Sequence, residues 1–345
     1  MKSLIILRAL WKNEVFNVIG FNRILGHENI VHSLKNSIIG ERVNHAYIFS
    51  GEKGIGKHTL AKAFAKTLNC RNGGTEPCGQ CISCKTFDTG NNPDIITITH
   101  SKRDITVDVI REQIGENIIY RPHSNKYKIF IMPDADKMNV SAQNAFLKTL
   151  EEPPEFAIFM LLCENYNKLL ATILSRCVTF KLRPVDHNLI EKYLIDNNSL
   201  DREKAQMYAR YSQGSIGRAV ELSNSQDFNE IRDYTLNLAR ELEKADLIKM
   251  YKLAEGLKEY KDEIDTVLEI LLLLYRDTLV YIKTGSRRYI IQQDKIDDII
   301  NMAQTSNTAQ LEKRCDAIND TRMKLLNNGD FQLMTETLFF KIKEK

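Results

Sequence analysis

A glycine-rich loop at residues 51–59 carries the clearest chemistry in this sequence. The loop reads GEKGIGKHT and stands between an apolar run, HAYIFS, and a helical pattern, LAKAFAKTL. Glycines let backbone N–H groups curl around an anion, and the N-terminus of the next helix adds partial positive charge. A lysine at the end of such a loop reaches the terminal phosphates of a nucleotide. The pattern predicts a phosphate-binding loop, whose candidate nucleotide-binding residues are Gly51, Gly54, Gly56, Lys57, His58 and Thr59.

The positions that would hold a magnesium ion beside this loop depart from the usual pattern. A serine or threonine hydroxyl normally follows the lysine, but this chain has His58, and one helical step turns Thr59 away by about 100°. On the other side, the strand KIFIM ends at Pro133, where P-loop ATPases carry an aspartate, and Asp134 replaces the next glutamate. We therefore predict an anion cradle with a defective magnesium site and little or no intrinsic ATPase activity. Asp136 is expected to cap the helix that follows.

Four cysteines fall within fifteen positions in the pattern C-x7-C-x2-C-x2-C, at Cys70, Cys78, Cys81 and Cys84. Clustered thiols in a reducing compartment indicate a metal site rather than disulfides. Four thiolates close the tetrahedral shell of a structural zinc ion and leave no position open for a substrate. An iron–sulfur cluster and four unrelated cysteines are the alternatives. The remaining three cysteines are far apart and are interpreted as small core residues.

Composition and charge describe an ordinary globular protein. The chain has 345 residues, 43% of them hydrophobic, and 48 basic against 45 acidic side chains. This balance excludes a disordered chain and a strongly basic DNA coat, although a local basic face remains compatible with nucleic acid. Its apolar runs are shorter than the roughly 18–20 residues that span a bilayer, and the first is too short for a signal peptide. We expect a cytoplasmic protein without membrane contacts.

Hydrophobic patterning divides the chain into an α/β half and a helical half. Near-continuous apolar runs predict five buried strands, at residues 45–50, 95–99, 128–132, 157–163 and 178–182. Because helical patterns alternate with these runs, a doubly wound parallel sheet is expected. After Pro184 the pattern is helical, with three short helices at residues 189–197, 201–212 and 216–224 and longer ones beyond. Residues 1–20 fit neither half and are interpreted as an extension of unclear role.

Three further motifs resemble those of bacterial clamp-loader subunits of the AAA+ superfamily. They are the DADKM run at residues 134–138, QNAFLKTLEEPP at 143–154 and LSRC at 174–177. The zinc spacing directly after the first helix is also similar to that family, and the C-terminal runs YRDTL and QLMTE are similar to its collar domain. Gamma and tau subunits keep the complete ATPase motifs, whereas this chain resembles the non-hydrolysing delta-prime type.

The resemblance implies a domain organisation and partners. It implies an AAA+ P-loop domain over residues 21–184 with a zinc module at 70–84, an all-α lid at 185–226, and an all-α collar at 227–345. Gamma or tau and delta subunits, the sliding clamp and primer-template DNA are the implied partners, in a hetero-oligomer that is expected to be a pentamer. The implied function is a stator of the DNA polymerase III clamp loader, which supports loading of the clamp during replication.

The same resemblance gives two arginines a role. The arginine of the SRC triplet is Arg176, which the family projects into the nucleotide site of an adjacent ATPase subunit. From the residues alone, an ordinary surface arginine at the edge of an element is the favoured interpretation of Arg176, and the family resemblance reverses that preference. Arg218, in GSIGRA, matches the sensor-2 position of the lid, and Asn165 is a candidate for sensor 1. Two other functions stay open: an active ATPase similar to gamma and tau, and a zinc-dependent DNA-binding module with a vestigial P-loop.

Overall fold

The computed structural model describes residues 20–100, 104–225, 227–326 and 329–344. Most of the N-terminal extension, residues 1–19, therefore lies outside the described part of the chain. The described residues form two compact units, the first of residues 20–193 with 213–218 and the second of residues 194–212 with 219–344. Within the described residues, no helix is both long and apolar enough to cross a membrane.

The first unit contains a five-stranded parallel sheet, which confirms the predicted strands. The strands are β1 (Ala46–Ser50), β2 (Ile95–Thr97), β3 (Lys128–Met132), β4 (Ala157–Cys163) and β5 (Val178–Lys181). Their order in the sheet is β2-β3-β4-β1-β5, and every neighbouring pair is parallel. Three strands are one or two residues shorter than predicted, since β1 begins after His45, β2 ends at Thr97 and β5 ends at Lys181.

Helices lie along the chain before and between these strands, and both faces of the sheet are covered. The helices are α1 (Glu28–Ile39), α2 (Lys57–Leu68), α3 (Ile82–Asp88), α4 (Val107–Ile110), α5 (Glu116–Ile118), α6 (Val140–Glu151) and α7 (Ala171–Leu174), with the π-helical turn Arg111–Gly115 joining α4 to α5. After the last strand comes α8 (His187–Asn198), which is divided between the two units. Alternate strand residues point to opposite faces: Tyr47 and Phe49 belong to one apolar cluster, and Ile48 belongs to the other. Because both faces are covered, the strands are apolar throughout, as parallel sheets require.

The cap of α6 differs from the sequence prediction. Asn139, not Asp136, caps this helix, because the Asn139 side chain accepts a hydrogen bond from the Ala142 backbone at 2.9 Å. Asp136 instead lies in the short 3-10 turn Ala135–Lys137. Its carboxylate accepts from the Asn165 backbone N–H at 3.3 Å, across the ends of β3 and β4. The prediction failed because any short polar residue in this run can cap a helix, and spacing did not distinguish Asn139 from Asp136.

The second unit is helical within its described residues. Its helices are α9 (Arg202–Tyr211), α11 (Phe228–Lys244), α12 (Leu247–Gly256), α13 (Ile264–Thr284), α14 (Ile296–Thr305), α15 (Thr308–Leu326) and α16 (Phe331–Lys343). The second unit also contains the end of α8 and the part of α10 (Ile216–Asn224) that begins at residue 219. The apolar helix α13 packs against α11, α14 and α15. Within the YRDTL motif, buried Asp277 accepts hydrogen bonds from the backbone of Ile291 and Gln292, and it thereby anchors the chain that follows α13.

Candidate functional site

The glycine-rich loop leaves the carboxyl end of β1, the strand between β4 and β5 in the sheet. Gly54 and Gly56 have φ angles of +76° and +108°, which residues with a Cβ adopt only under strain. These two turns bring the chain onto the N-terminus of α2, which begins at Lys57. The structure thus places three of the six candidate residues in the loop and the other three in the first turn of α2, all beyond the carboxyl end of β1.

Lys57 is folded back onto its own loop. Its Nζ donates hydrogen bonds to the backbone oxygen of Gly51 and, at 2.9 Å, to that of Glu52. Burial lowers the pKa of the Lys57 amine, while the negative charges of Glu164 and Asp136 act in the opposite direction. The amine is therefore held inside the cradle by carbonyl groups, which a phosphate would have to replace as its partners.

The segment at residues 213–218 is hydrogen-bonded to the same glycine-rich loop. The Ser215 hydroxyl donates to the Lys53 carbonyl at 3.0 Å, and the Gly217 N–H donates to the Gly54 carbonyl at 2.8 Å. A Cβ on Gly217 would lie only 2.9 Å from the Gly54 oxygen, so glycine is required for this approach. The segment that carries Arg218 therefore contacts the glycine-rich loop through the protein's own hydrogen bonds.

The residues around the expected magnesium position offer a poor set of ligands. His58 is half-buried, and this burial, with the nearby Lys62 charge, lowers its pKa to about 4. A neutral imidazole replaces the hydroxyl that Mg²⁺ prefers, since that ion selects oxygen ligands. Pro133 has no ligand to offer, and Asp134, at φ +53°, pairs with Lys137 at 2.9 Å. The donors present do not fit the magnesium site of an active P-loop ATPase.

The candidate for sensor 1 lies at the same edge of the sheet. Asn165 follows β4, and its side-chain oxygen accepts from the Asn167 backbone at 3.0 Å while its own N–H donates to Asp136. Thr59 lies in the first turn of α2, as the sequence indicates. These contacts show that Asn165 stabilises its own turn, and they leave its sensor role as a prediction.

The four clustered cysteines come together at one point beside α2 and α3. Their Sγ atoms all lie within 4.8 Å of one another, and Cys70 and Cys84 are buried. Backbone N–H groups of Cys78, Cys81 and Cys84 point at the sulfurs of Cys70, Cys78 and Cys81 at 3.3–3.5 Å. Backbone hydrogen bonds lower the pKa of the Cys78 thiol to about 6. Four converging thiols with N–H donors to sulfur suit a tetrahedral Zn²⁺ ion, which binds thiolates.

An ion pair between a buried lysine and a partly exposed aspartate joins this cysteine module to α2. Lys66 of α2 is fully buried, and its Nζ lies 2.6 Å from an Asp88 oxygen at the end of α3. Breaking such a pair leaves a buried charge without compensation. The module is therefore tied to the helix that begins at Lys57.

Arg176 lies near the amino ends of the strands, whereas the glycine-rich loop lies at their carboxyl ends. It precedes β5, which pairs in parallel with β1 so that Val178 is level with Tyr47. Gly51 lies four residues beyond Tyr47, so the loop is about 13 Å or more along the strand direction from Arg176. A guanidinium at this position cannot serve the phosphate loop of its own chain.

The Arg176 guanidinium is held by two neighbouring elements. One terminal nitrogen donates to the Thr172 carbonyl at 3.0 Å, and the other lies 3.1 Å from a Glu151 carboxylate oxygen at the end of α6. The side chain remains 36% exposed. Neither Glu151 nor the Ser215–Gly217 contact was found from the sequence, although the LEEPP and GSIGRA runs that contain them were noted as motifs.

Comparison with known proteins identifies two matching family models. A model described as DNA polymerase III, delta subunit, matches residues 26–186, and one for the C-terminal part of that subunit matches residues 228–344. DNA polymerase III subunit delta' of Bacillus subtilis is 30% identical, and the alignment covers 91% of this chain and 95% of that protein.

Tau and gamma subunits are also similar, over part of their length. Subunit tau of Bacillus subtilis is 28% identical, with 97% of this chain and 63% of that protein covered. Subunit tau/gamma of Haemophilus influenzae is 34% identical, with 64% of this chain and 32% of that protein covered. The chain therefore spans nearly all of the delta' relative but about a third to two thirds of these tau relatives.

Proposed function

This chain belongs to the clamp-loader subunit family of bacterial DNA polymerase III, and we propose that within it the chain acts as the delta-prime-type stator. In this role it hydrolyses no ATP itself, and it supplies Arg176 to the nucleotide site of an adjacent gamma or tau subunit. The assembled loader would place the sliding clamp on primed DNA during replication.

The position of Arg176 carries this proposal. Its guanidinium is at the amino edge of the sheet, partly exposed, and out of reach of its own phosphate loop. In phosphoryl transfer, a guanidinium stabilises charge on the transferring group, and it can come from a neighbouring subunit. A chain whose own magnesium ligands are defective, but whose arginine faces outward, is suited to catalysis in trans rather than in cis.

The fastened lid segment supports the stator role. In a motor subunit, the lid is expected to respond to nucleotide, whereas here Ser215 and Gly217 bond directly to the phosphate loop. These hydrogen bonds hold the segment against the loop through the protein's own groups. Lys57 and the glycines would still allow the loop to hold a nucleotide or phosphate without hydrolysing it, and Arg218 would lie beside that anion.

We propose three functional domains for the described chain. Residues 21–184 form the AAA+ domain, residues 185–226 the lid, and residues 227–345 the collar through which gamma or tau and delta subunits assemble. The four-cysteine module would hold one structural zinc ion, which orders the insertion between α2 and α3. Contacts with primer-template DNA would run through backbone phosphates and would therefore weaken with salt.

Reconstitution tests the proposal against its two alternatives. Purified chain alone should show no steady ATP turnover, whereas sustained turnover would identify an active ATPase similar to gamma and tau. Tight DNA binding by the chain alone, lost on chelation, would favour the zinc-dependent DNA-binding module. In the assembled loader, Arg176→Ala should lower the ATPase rate without changing the folding of this subunit, and an unchanged rate would remove the trans-arginine role.

A further inference from the structure

We infer that Glu151 is a positioning residue for Arg176, which orients the guanidinium before an adjacent subunit binds. This inference rests on the proposed function, because it assigns a further residue to the same site in trans. It is carried by the contact between two helix ends that the structure brings together, one from α6 and one from α7.

The position of Glu151 is fixed by the end of its helix. α6 ends at Glu151, and the chain leaves the helix at Glu152, where φ is −126° and ψ is 64°. Pro153 and Pro154 follow, and proline disfavours a helical conformation in the residue before it and cannot donate the next helical hydrogen bond. Glu151 is therefore the last helical residue, with its carboxylate at a defined place above α7.

The backbone of Arg176 is fixed in a similar way. α7 has only four residues, and the Arg176 N–H donates to the Ile173 carbonyl at 3.1 Å, which continues the helical turn. The side chain then runs back along this turn, so that one terminal nitrogen reaches the Thr172 carbonyl at 3.0 Å. Helical side chains point towards the N-terminus in this manner.

Acceptors on two elements together define the plane of the guanidinium. One terminal nitrogen contacts the Thr172 carbonyl at 3.0 Å and the Ser175 hydroxyl oxygen at 3.4 Å, and the other contacts the Glu151 carboxylate at 3.1 Å. Because Thr172 and Ser175 contact the same nitrogen, the planar group could still turn about that nitrogen without Glu151. With Glu151 in place both terminal nitrogens are held, which reduces the rotamer freedom lost when a phosphoryl group binds.

The exposure of the pair sets the size of the effect. Arg176 and Glu151 are 36% and 53% exposed, so their ion pair is screened by water and is weak. A weak pair can orient the guanidinium and still yield to a more highly charged phosphoryl group. Loss of Glu151 should therefore lower the Arg176-dependent part of the ATPase rate by about two- to fivefold, which is far less than loss of Arg176 itself.

Glu152 offers a matched control in the next position of the chain. It is exposed and has the same charge, and no ion pair to it is found among the described residues. The experiment measures ATP turnover by reconstituted loaders that contain wild-type chain, Glu151→Ala, Glu151→Gln, Glu152→Ala or Arg176→Ala. The Arg176-dependent rate is the difference between wild type and Arg176→Ala.

A double substitution separates positioning from a merely structural role. We expect Glu151→Ala to reduce the Arg176-dependent rate two- to fivefold, Glu151→Gln to reduce it less, and Glu152→Ala to leave it unchanged. In the Arg176→Ala background, Glu151→Ala should change nothing further, because its effect passes through the guanidinium. The unfolding midpoints of the isolated variant chains should stay at the wild-type value. If the Glu151→Ala chain does not fold, Glu151→Gln carries the test.

Two results would overturn the inference while leaving the proposed function intact. One is an unchanged or raised rate with Glu151→Ala when Arg176→Ala still lowers the rate. The other is an equal loss from Glu151→Ala in the presence and absence of Arg176. By contrast, an Arg176→Ala loader with the full wild-type rate would remove the proposed function itself.

Discussion

Substitution of Gly217 by alanine tests the contact between the lid segment and the phosphate loop. At most helical positions, glycine to alanine stabilises a protein by about 0.5–1 kcal/mol, because alanine loses less backbone entropy on folding. Gly217 lies in the first turn of α10, yet its Cβ would stand 2.9 Å from the Gly54 oxygen and 3.0 Å from the Gly54 Cα. Both atoms belong to the backbone of a constrained loop, so the segment must move instead.

The cost follows from the hydrogen bonds that this movement breaks. The Gly217 bond to Gly54 and the Ser215 bond to Lys53 each contribute about 0.5–1.5 kcal/mol. We expect this loss to outweigh the entropic gain of alanine, so that Gly217→Ala destabilises the first unit by up to about 2.5 kcal/mol and the sign is opposite to the usual one. Gly115→Ala is the matched control, because its Cβ would have its nearest neighbour at 3.9 Å.

Urea unfolding followed by circular dichroism gives the change in stability, and amide hydrogen exchange locates it. Exchange should accelerate at residues 51–56 and 213–218 in the Gly217→Ala variant, because opening of this contact becomes easier. Gly115→Ala should show no such local change and should be neutral or slightly stabilised. If Gly217→Ala stabilises the chain as much as Gly115→Ala, or leaves exchange at the loop unchanged, the contact does not fasten the lid segment.

Three further predictions concern the metal module, an ion pair and a half-buried histidine. Purified chain should contain one zinc ion, and chelation should lower its unfolding midpoint. The control variant Cys315→Ser should retain the metal. Metal analysis that finds no zinc in freshly purified protein would reject the site. Asp88→Asn should destabilise the chain by about 3 kcal/mol in urea unfolding, because it leaves the Lys66 amine buried without a charged partner. The control Asp262→Asn, at an exposed position, should change the free energy of unfolding by less than about 0.5 kcal/mol. Equal effects of the two substitutions would contradict the prediction. As the pH falls from about 6.5 to about 4, stability should decrease, because the unfolded state binds a proton at His58 before the folded state, in which burial lowers the pKa to about 4. His58→Gln should remove up to about 3 kcal/mol of that loss, and an identical pH profile for the variant would refute the assignment.

The sheet could be predicted from sequence because its residues respond to one strong constraint. A parallel strand covered on both faces must be apolar throughout, and runs such as KIFIM and AIFMLLC leave few other interpretations. The glycine-rich turn before α2 and the convergence of four cysteines could be predicted because glycines and cysteines at fixed spacing serve few other purposes, while phosphate and zinc binding stay predictions. Strand ends were less certain, since β2 and β5 end where pairing with a neighbour stops rather than where apolar residues stop.

Contacts between distant segments could not be read from local patterns. Ser215 and Lys53 are 162 positions apart, and nothing in either segment indicates that one will donate to the other. The pairing of Glu151 with Arg176 likewise depends on how α6 and α7 pack. Sequence placed Arg176 at the edge of an element, but only the parallel register of β1 and β5 shows that it is remote from its own phosphate loop.

The most direct test of catalysis in trans compares two single substitutions in the assembled loader. Lys57→Ala removes the cation of this chain's own phosphate loop, and Arg176→Ala removes the guanidinium offered to the neighbour. We predict that ATP turnover by the loader keeps its wild-type rate with Lys57→Ala and falls with Arg176→Ala. A loader that loses turnover with Lys57→Ala but keeps it with Arg176→Ala would contradict the account, since hydrolysis would then take place in this subunit itself.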